Sequence, residues 1–270
     1  MQKKTIGIVG CGAIGTILGE YIEKNLASKI AGIVLCDSDP AKAESLAGKV
    51  SNAAVSPGIK ETVKESDLVI EAASSKVSPA VLREAISAKK DIIIMSIGGL
   101  LGEEELLEGA REKGVKVMLP SGAIAGIDAV KAAAISGIEK VTLTTRKPPK
   151  SIKGAPYLIE NHIDVDALEG EAVVFEGAAT EAMKGFPKNI NVSALLSLAG
   201  IGGEKTHVKI VVSPACTKNI HEIEIRSKAG IITTRCENVP SPANPKTSYL
   251  AALAAIASLK GYFDTVRIGT

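Results

Sequence analysis

Apolar residues follow two different rhythms along this chain. In the first half they come as short unbroken blocks, Thr5–Val9, Ile30–Cys36, Ser66–Glu71, Asp91–Met95 and Val115–Leu119. Between them lie stretches with helical spacing, such as Pro79–Lys89 and EEELLEGAREKG, which closes at Gly114. Blocks that are apolar on both faces predict strands of a parallel sheet covered by helices on either side. The rhythm changes at PSGAIAGIDA (Pro120–Ala129). A helix from about Gly126 to Ser136 is followed by strands that alternate apolar and polar residues: Lys140–Arg146, Glu171–Glu176, His207–Ser213, Asn219–Ser227 and Gly230–Glu237. Such alternation predicts an antiparallel sheet with one buried face and one that is solvated or meets another subunit. A helix over Asn191–Leu198 interrupts these strands, PSPANP (Pro240–Pro245) ends them, and Lys246–Leu259 reads as a small-residue helix returning to the first domain. The expected fold is α/β: a doubly wound parallel sheet over 1–122, completed by 240–270, with a second α+β domain over 123–239 built on a mainly antiparallel sheet. A ligand-binding cleft between the two is expected outside the carboxyl ends of the strands.

The turn after the first strand carries the chemistry. In GCGAIG, Gly10 permits the tight turn, Gly12 lets a pyrophosphate approach the backbone, and Gly15 allows close packing of helix on strand. The free amides at Ala13 and Ile14 and the positive end of that helix would then meet the phosphates. Asp37 closes the second strand, where a carboxylate can accept the hydroxyls of an adenosine ribose. Strand, loop, helix, strand and acid in this order predict a Rossmann domain holding NAD or NADP. Asp37 favours NAD, and Lys42 nearby leaves NADP open. Ala73, in EAAS at the end of the third block, joins the residues expected to touch the cofactor.

Charge narrows the partner. The 32 basic and 30 acidic side chains of the 270 residues form no stripe or run of one sign, which argues against nucleic acid or an anionic membrane and for a small molecule. Cys11, Cys36, Cys216 and Cys236 are widely spaced without a CxxC, so neither disulfides nor a metal site is indicated. With no secretory signal before the first strand and no membrane-length apolar run, a cytoplasmic protein is expected.

Hydride chemistry on a nicotinamide needs a proton acceptor and groups that recognise substrate charge. Of three histidines, His162 sits in a loop, His207 begins a strand, and His221 lies in NIHEIEIRS on the face of Ile223 and Ile225, opposite Glu222, Glu224 and Arg226. That placement suits a core histidine hydrogen-bonded beneath the sheet and an acid/base group equally. Asn244 as cap and Pro245 as first residue of the last helix would present amides near Lys246 and Thr247 to a carboxylate; the bland alternative is a helix start with a solvated lysine. Arg146 and Lys147, before two prolines, read as solvated strand-end charges, and Cys11 and Cys216 as incidental thiols.

Taken together, GCGAIG, EAAS, SIGGL, PSGAIAGIDA, FEGAATEAMKGFPKNINVSA, NIHEIEIRS and NVPSPANPKTS resemble the L-aspartate dehydrogenases that supply iminoaspartate for NAD biosynthesis. The resemblance implies oxidation of L-aspartate to iminoaspartate, which hydrolyses to oxaloacetate and ammonia. It also implies His221 as the active-site residue, with Ala125 and Asn191 against the cofactor and Asn191 near the substrate. Ala123 in the same turn competes with Ala125, and Asn191 could instead cap its own helix. Two other readings keep the first domain: a reductase of another aspartate-derived metabolite, similar to dihydrodipicolinate reductase or homoserine dehydrogenase, and a non-catalytic nucleotide-binding module. A homodimer through the open face of the second sheet is expected.

Overall fold

The computed structural model describes residues 2–187, 190–242 and 244–269. The chain packs as two compact units, Met1–Pro120 with Ala252–Val266, and Ser121–Ala251 with Arg267–Thr270.

The first unit begins β1 (Lys4–Val9), α1 (Ala13–Asn25), β2 (Ile30–Cys36), α2 (Pro40–Ala47), β3 (Ala53–Val55) and α3 (Ile59–Lys64). It continues β4 (Leu68–Glu71), α4 (Ser78–Ala88), β5 (Asp91–Ile94), α5 (Glu104–Lys113) and β6 (Val117–Met118). The sheet order is β3-β2-β1-β4-β5-β6, parallel throughout. Ile6, Ile8, Leu35, Leu68, Ile70 and Ile93 are wholly buried, as unbroken apolar strands between two helical layers require. The winding reverses between β1 and β4, where both strands end beside the glycine loop. SIGGL forms a tight 3₁₀ turn, Ile97–Leu100, and Gly114 closes α5 in the left-handed conformation, φ +69°.

The second unit runs α6 (Ile127–Ser136), β7 (Ile138–Lys147), α7 (Pro156–Glu160), β8 (Ala172–Ala178), α8 (Ala179–Gly185), α9 (Asn191–Ala199), β9 (Thr206–Val212), β10 (Asn219–Ser227) and β11 (Gly230–Asn238). Its five strands lie in the order β11-β10-β7-β9-β8. All neighbours are antiparallel except β7 and β9, which run parallel. Helices α6, α8 and α9 pack on one face. The other face carries a ladder of charges in which Arg146 pairs with Glu222 and Glu171, and Arg235 with Glu222 and Glu237.

One expected element is different. Asn244–Ser248 is a strand, β13, paired antiparallel with β12 (Pro240–Ser241), and the last helix, α10, spans Tyr249–Tyr262. Asn244 precedes Pro245, and the proline ring drives the residue before it into extended geometry. The helix therefore starts five residues after Asn244 rather than at Lys246, with the Tyr249 amide donating to the Val239 carbonyl at 3.0 Å. Ala255, Leu259 and Phe263 then enter the core of the first unit, where the Tyr262 hydroxyl donates to Asp91 Oδ2 at 3.0 Å.

Candidate active site

At the carboxyl end of the first sheet each loop glycine answers a separate steric demand. Gly10 has φ +99°, and a Cβ there would lie 2.5 Å from the Ala73 amide nitrogen. A Cβ on Gly15 would lie 2.0 Å from the Gly10 carbonyl oxygen, so the close contact of α1 with β1 needs glycine. A Cβ on Gly12 would meet no atom within 4 Å, so there the absent side chain leaves open space beside the helix end. No side chain caps α1 and no acid occupies its first turn. The amides from Ala13 onward and the positive dipole end thus fit a pyrophosphate. Asp37 is tied to the same loop: Cys11 N donates to its Oδ2 at 2.7 Å and Asp39 N to its Oδ1 at 2.9 Å. Lys42 sits 3.6 Å from Asp39, exposed.

The neighbouring loops are fastened by a residue that the strand pattern treated only as a strand end. Glu71 is wholly buried. Its Oε1 accepts from Ala73 N at 2.8 Å and Ser74 N at 3.1 Å, and its Oε2 accepts from Ser96 N at 2.9 Å. Burial pushes its carboxyl up, and the amides of Ser96, Ala73 and Ser74 pull it back. One carboxylate thereby joins the loops after β4 and β5 and leaves Ala73 on the surface. A charged residue ending a buried strand, followed by small residues whose amides need partners, was the available signal.

In the second unit the alternation of β10 holds: His221, Ile223 and Ile225 are buried together. His221 is 5% exposed, stands opposite Thr145 in β7, and has its Nδ1 3.1 Å from Thr145 Oγ1. Desolvation, then the nearby charge of Lys147, pushes the imidazole down to about 3, so it is neutral. His162 and His207 are not buried, and His207 pairs with Glu176 at 2.9 Å.

Lys147 overturns its expected solvation. β7 extends through it, so the parity that buries Val141, Leu143 and Thr145 carries Lys147 inward as well. It is 6% exposed, the only buried lysine or arginine among the described residues. Burial pushes its ammonium down to about 8. It lines a narrow cavity with Thr145, Phe186, Ile190 and Ser193.

The other expected residues fall out unevenly. Ala125 is exposed and Ala123 buried, so of the two Ala125 is the one a ligand can reach. Thr234 Oγ1 donates to the Ala125 carbonyl at 3.3 Å and Asn238 Nδ2 to that of Ala123 at 3.0 Å, fixing this turn on β11. Asn191 is exposed in the first turn of α9, one residue past Ile190 at the cap position. Thr247 is half-buried in β13, and the Lys246 side chain lies outside the described part of the chain, as does Lys188 of the FPKNINV motif. The amide-rich helix start expected beside Lys246 and Thr247 is absent, because a strand occupies those residues. The Cys11 thiol is pushed up to about 12, first by burial and then by Asp37 and Cys36, which makes it a poor nucleophile. Among the described residues no helix is long and apolar enough to cross a membrane.

Comparison with known proteins divides along the same line as the fold. Residues 10–120 match the family described as homoserine dehydrogenase, NAD binding domain, and residues 128–262 match aspartate dehydrogenase, C-terminal. The chain is 45% identical to the L-aspartate dehydrogenase of Methanococcoides burtonii, covering 98% of this chain and 99% of the relative. It is 41% identical to that of Nitrosopumilus maritimus, covering 99% and 100%. The crystal structure of aspartate dehydrogenase from Thermotoga maritima superposes with a TM-score of 0.78 at 26% identity, covering 99% of this chain and all of that one. A homoserine dehydrogenase from Thiobacillus denitrificans, at 15% identity and a TM-score of 0.59, shares the fold alone.

Proposed function

The chain belongs to the aspartate dehydrogenase family, and from that membership we propose that it oxidises L-aspartate with NAD or NADP, with His221 as the proton acceptor. The observation that carries the assignment is the neutral, buried His221 held by Thr145 on the inner face of the second sheet. Gly10, Gly12, Gly15, the first amides of α1 and Asp37 would hold the dinucleotide, with Ala73, Ala125 and Asn191 as further contacts. When bound, the nicotinamide supplies a hydride acceptor.

The protein's own task is the proton. As hydride leaves Cα and the C=N bond forms, the amine nitrogen must lose a proton. If His221 Nδ1–H donates to Thr145 Oγ1, the Nε2 lone pair is free to take it. A neutral imidazole is the form this direction needs; imidazolium serves the reverse. Iminoaspartate then hydrolyses to oxaloacetate and ammonia, or passes to quinolinate and NAD biosynthesis. We assign the chain to that supply and to a cytoplasmic homodimer. The open sheet face that was expected to form the dimer is covered by ion pairs, so a dimer there would be mainly polar.

The test is cofactor reduction with L-aspartate, D-aspartate, L-glutamate and homoserine, and cofactor oxidation with oxaloacetate plus ammonia. Activity confined to L-aspartate and its reverse pair is expected, and turnover of homoserine instead would install the competing reductase reading. His221→Ala should lower kcat by about 10²-fold or more with NADH affinity retained. Wild-type turnover in that variant would return His221 to the core.

A further inference from the structure

We infer that Lys147 is the cation that binds a carboxylate of the substrate beside His221. The inference rests on the aspartate reading for its ligand and on the second unit's geometry for its place.

Three observations point there. First, Lys147 is buried without a counter-charge. Among the described residues its ammonium makes no hydrogen bond or ion pair, and no carboxylate is near enough to offset burial. Its neighbour Arg146 shows the contrast, turning to the outer face to pair with Glu222 and Glu171. A buried, unpaired ammonium is among the most costly groups a fold can keep, and an apolar side chain would pack there at less cost. An anion arriving from outside removes that cost.

Second, the position is shared with His221. Thr145, two residues before Lys147 on the same face of β7, bonds the His221 ring, and the Lys147 charge reaches that ring. A carboxylate on Lys147 therefore places the substrate next to the proton acceptor. It also offsets the Lys147 charge, the smaller of the two effects that hold His221 neutral, burial being the larger.

Third, the ammonium meets a mainly apolar cavity with room for about one water, which a carboxylate would widen on binding. Leu143, Phe186, Ile190 and Ile210 line the cavity with apolar surface, and Phe186 is braced by Tyr157 and Phe175 at ring distances of 5.4 and 5.5 Å. Ser193 is a further polar residue in the lining, and its hydroxyl donates to the Ile190 carbonyl. Against such walls one ammonium dominates recognition.

Lys147→Met and Lys147→Gln test this. The KM for L-aspartate is expected to rise by about 10²-fold or more, with NADH affinity unchanged by fluorescence titration. Succinate, a dicarboxylate without the reacting amine, should inhibit wild type competitively and raise its melting temperature; both effects should vanish in the variants. An active wild type whose variants keep KM and succinate inhibition within about threefold overturns the role of Lys147 alone. Should wild type prove inactive with aspartate, the aspartate reading fails, and the succinate melting shift decides the carboxylate site: its loss in the variants sustains the site, its absence in wild type or persistence in the variants overturns it.

Discussion

Among the described residues a buried carboxylate stands in one unit and a buried ammonium in the other, and they are kept in opposite ways. Glu71 is surrounded by donors, with three backbone amides on its two oxygens. Lys147, 6% exposed, is buried nearly as deeply and has no partner among the described residues. A satisfied buried charge is a fastener, since its removal orphans the groups it holds. An unsatisfied one makes the fold less stable and persists where a ligand completes it. The difference separates a residue that shapes the cofactor end from one that waits for substrate.

The sharpest way to break the comparison is to remove each charge and measure stability by denaturant unfolding. Glu71→Ala leaves the buried Ser96 amide and the part-buried amides of Ala73 and Ser74 without acceptors, and at roughly 1–3 kcal/mol for a buried amide and less where water can enter, a loss of about 3 kcal/mol is expected. Glu71→Gln should lose about 2 kcal/mol, because its amide NH₂ must face a backbone donor on one side. Both should weaken NADH binding by loosening the loops at Ala73 and Ser96. A Glu71→Gln protein with wild-type stability would mean that the carboxyl is not acting as an acceptor for all three amides.

Lys147→Met should move the other way. The ammonium drops from 10.5 to about 8 on burial, a penalty of about 3 kcal/mol at about 1.4 kcal/mol per unit, so the variant should be more stable by up to about that amount while binding aspartate poorly. The sign with pH follows. Between about 8 and 10.5 the unfolded chain holds a proton on this lysine that the folded chain does not, so wild-type stability gains from this group as pH rises through that window. The wild-type minus variant difference should therefore shrink as pH rises across it. His221, lowered from 6.5 to about 3, acts in the same sense at lower pH: its contribution is lost as pH falls below 6.5. A Lys147→Met protein less stable than wild type at neutral pH would show that the ammonium has a partner in the fold.

Legibility in the sequence followed the same division. Unbroken apolar blocks located the parallel strands, and β2 and β10 emerged with the bounds their patterns predicted, because burial on two faces or one leaves a direct mark on residue choice. The inward face of His221 was readable for that reason. Lys147 was misread because the strand was ended at Arg146, one residue early; Val141, Leu143 and Thr145 already set a parity that puts residue 147 inside. Glu71 was passed over because its partners are backbone amides of loops, which no side-chain pattern announces. The parallel pairing of β7 with β9 was equally silent, since alternation records faces and not direction. The β12–β13 hairpin lost to a helix-start reading of Asn244 and Pro245, although the residue before a proline favours extended backbone.

Asp37 lies between the two extremes and predicts the smallest effect. Its carboxylate is half-exposed and takes amides from Cys11 and Asp39, so it is partly a fastener, yet it retains lone pairs for a ribose. Replacement by serine frees the part-buried Cys11 amide and the exposed Asp39 amide, so stability should fall by about 1 kcal/mol. The effect should appear in cofactor choice. NAD loses its acceptor, whereas the 2′-phosphate of NADP no longer meets a carboxylate and has Lys42 three residues beyond Asp39, so kcat/KM should shift toward NADP by about tenfold, equivalent to about 1.4 kcal/mol. Paired measurements with both cofactors read that ratio directly. If the ratio stays put while stability drops by several kcal/mol, Asp37 belongs with Glu71 as a fastener and the ribose is held elsewhere.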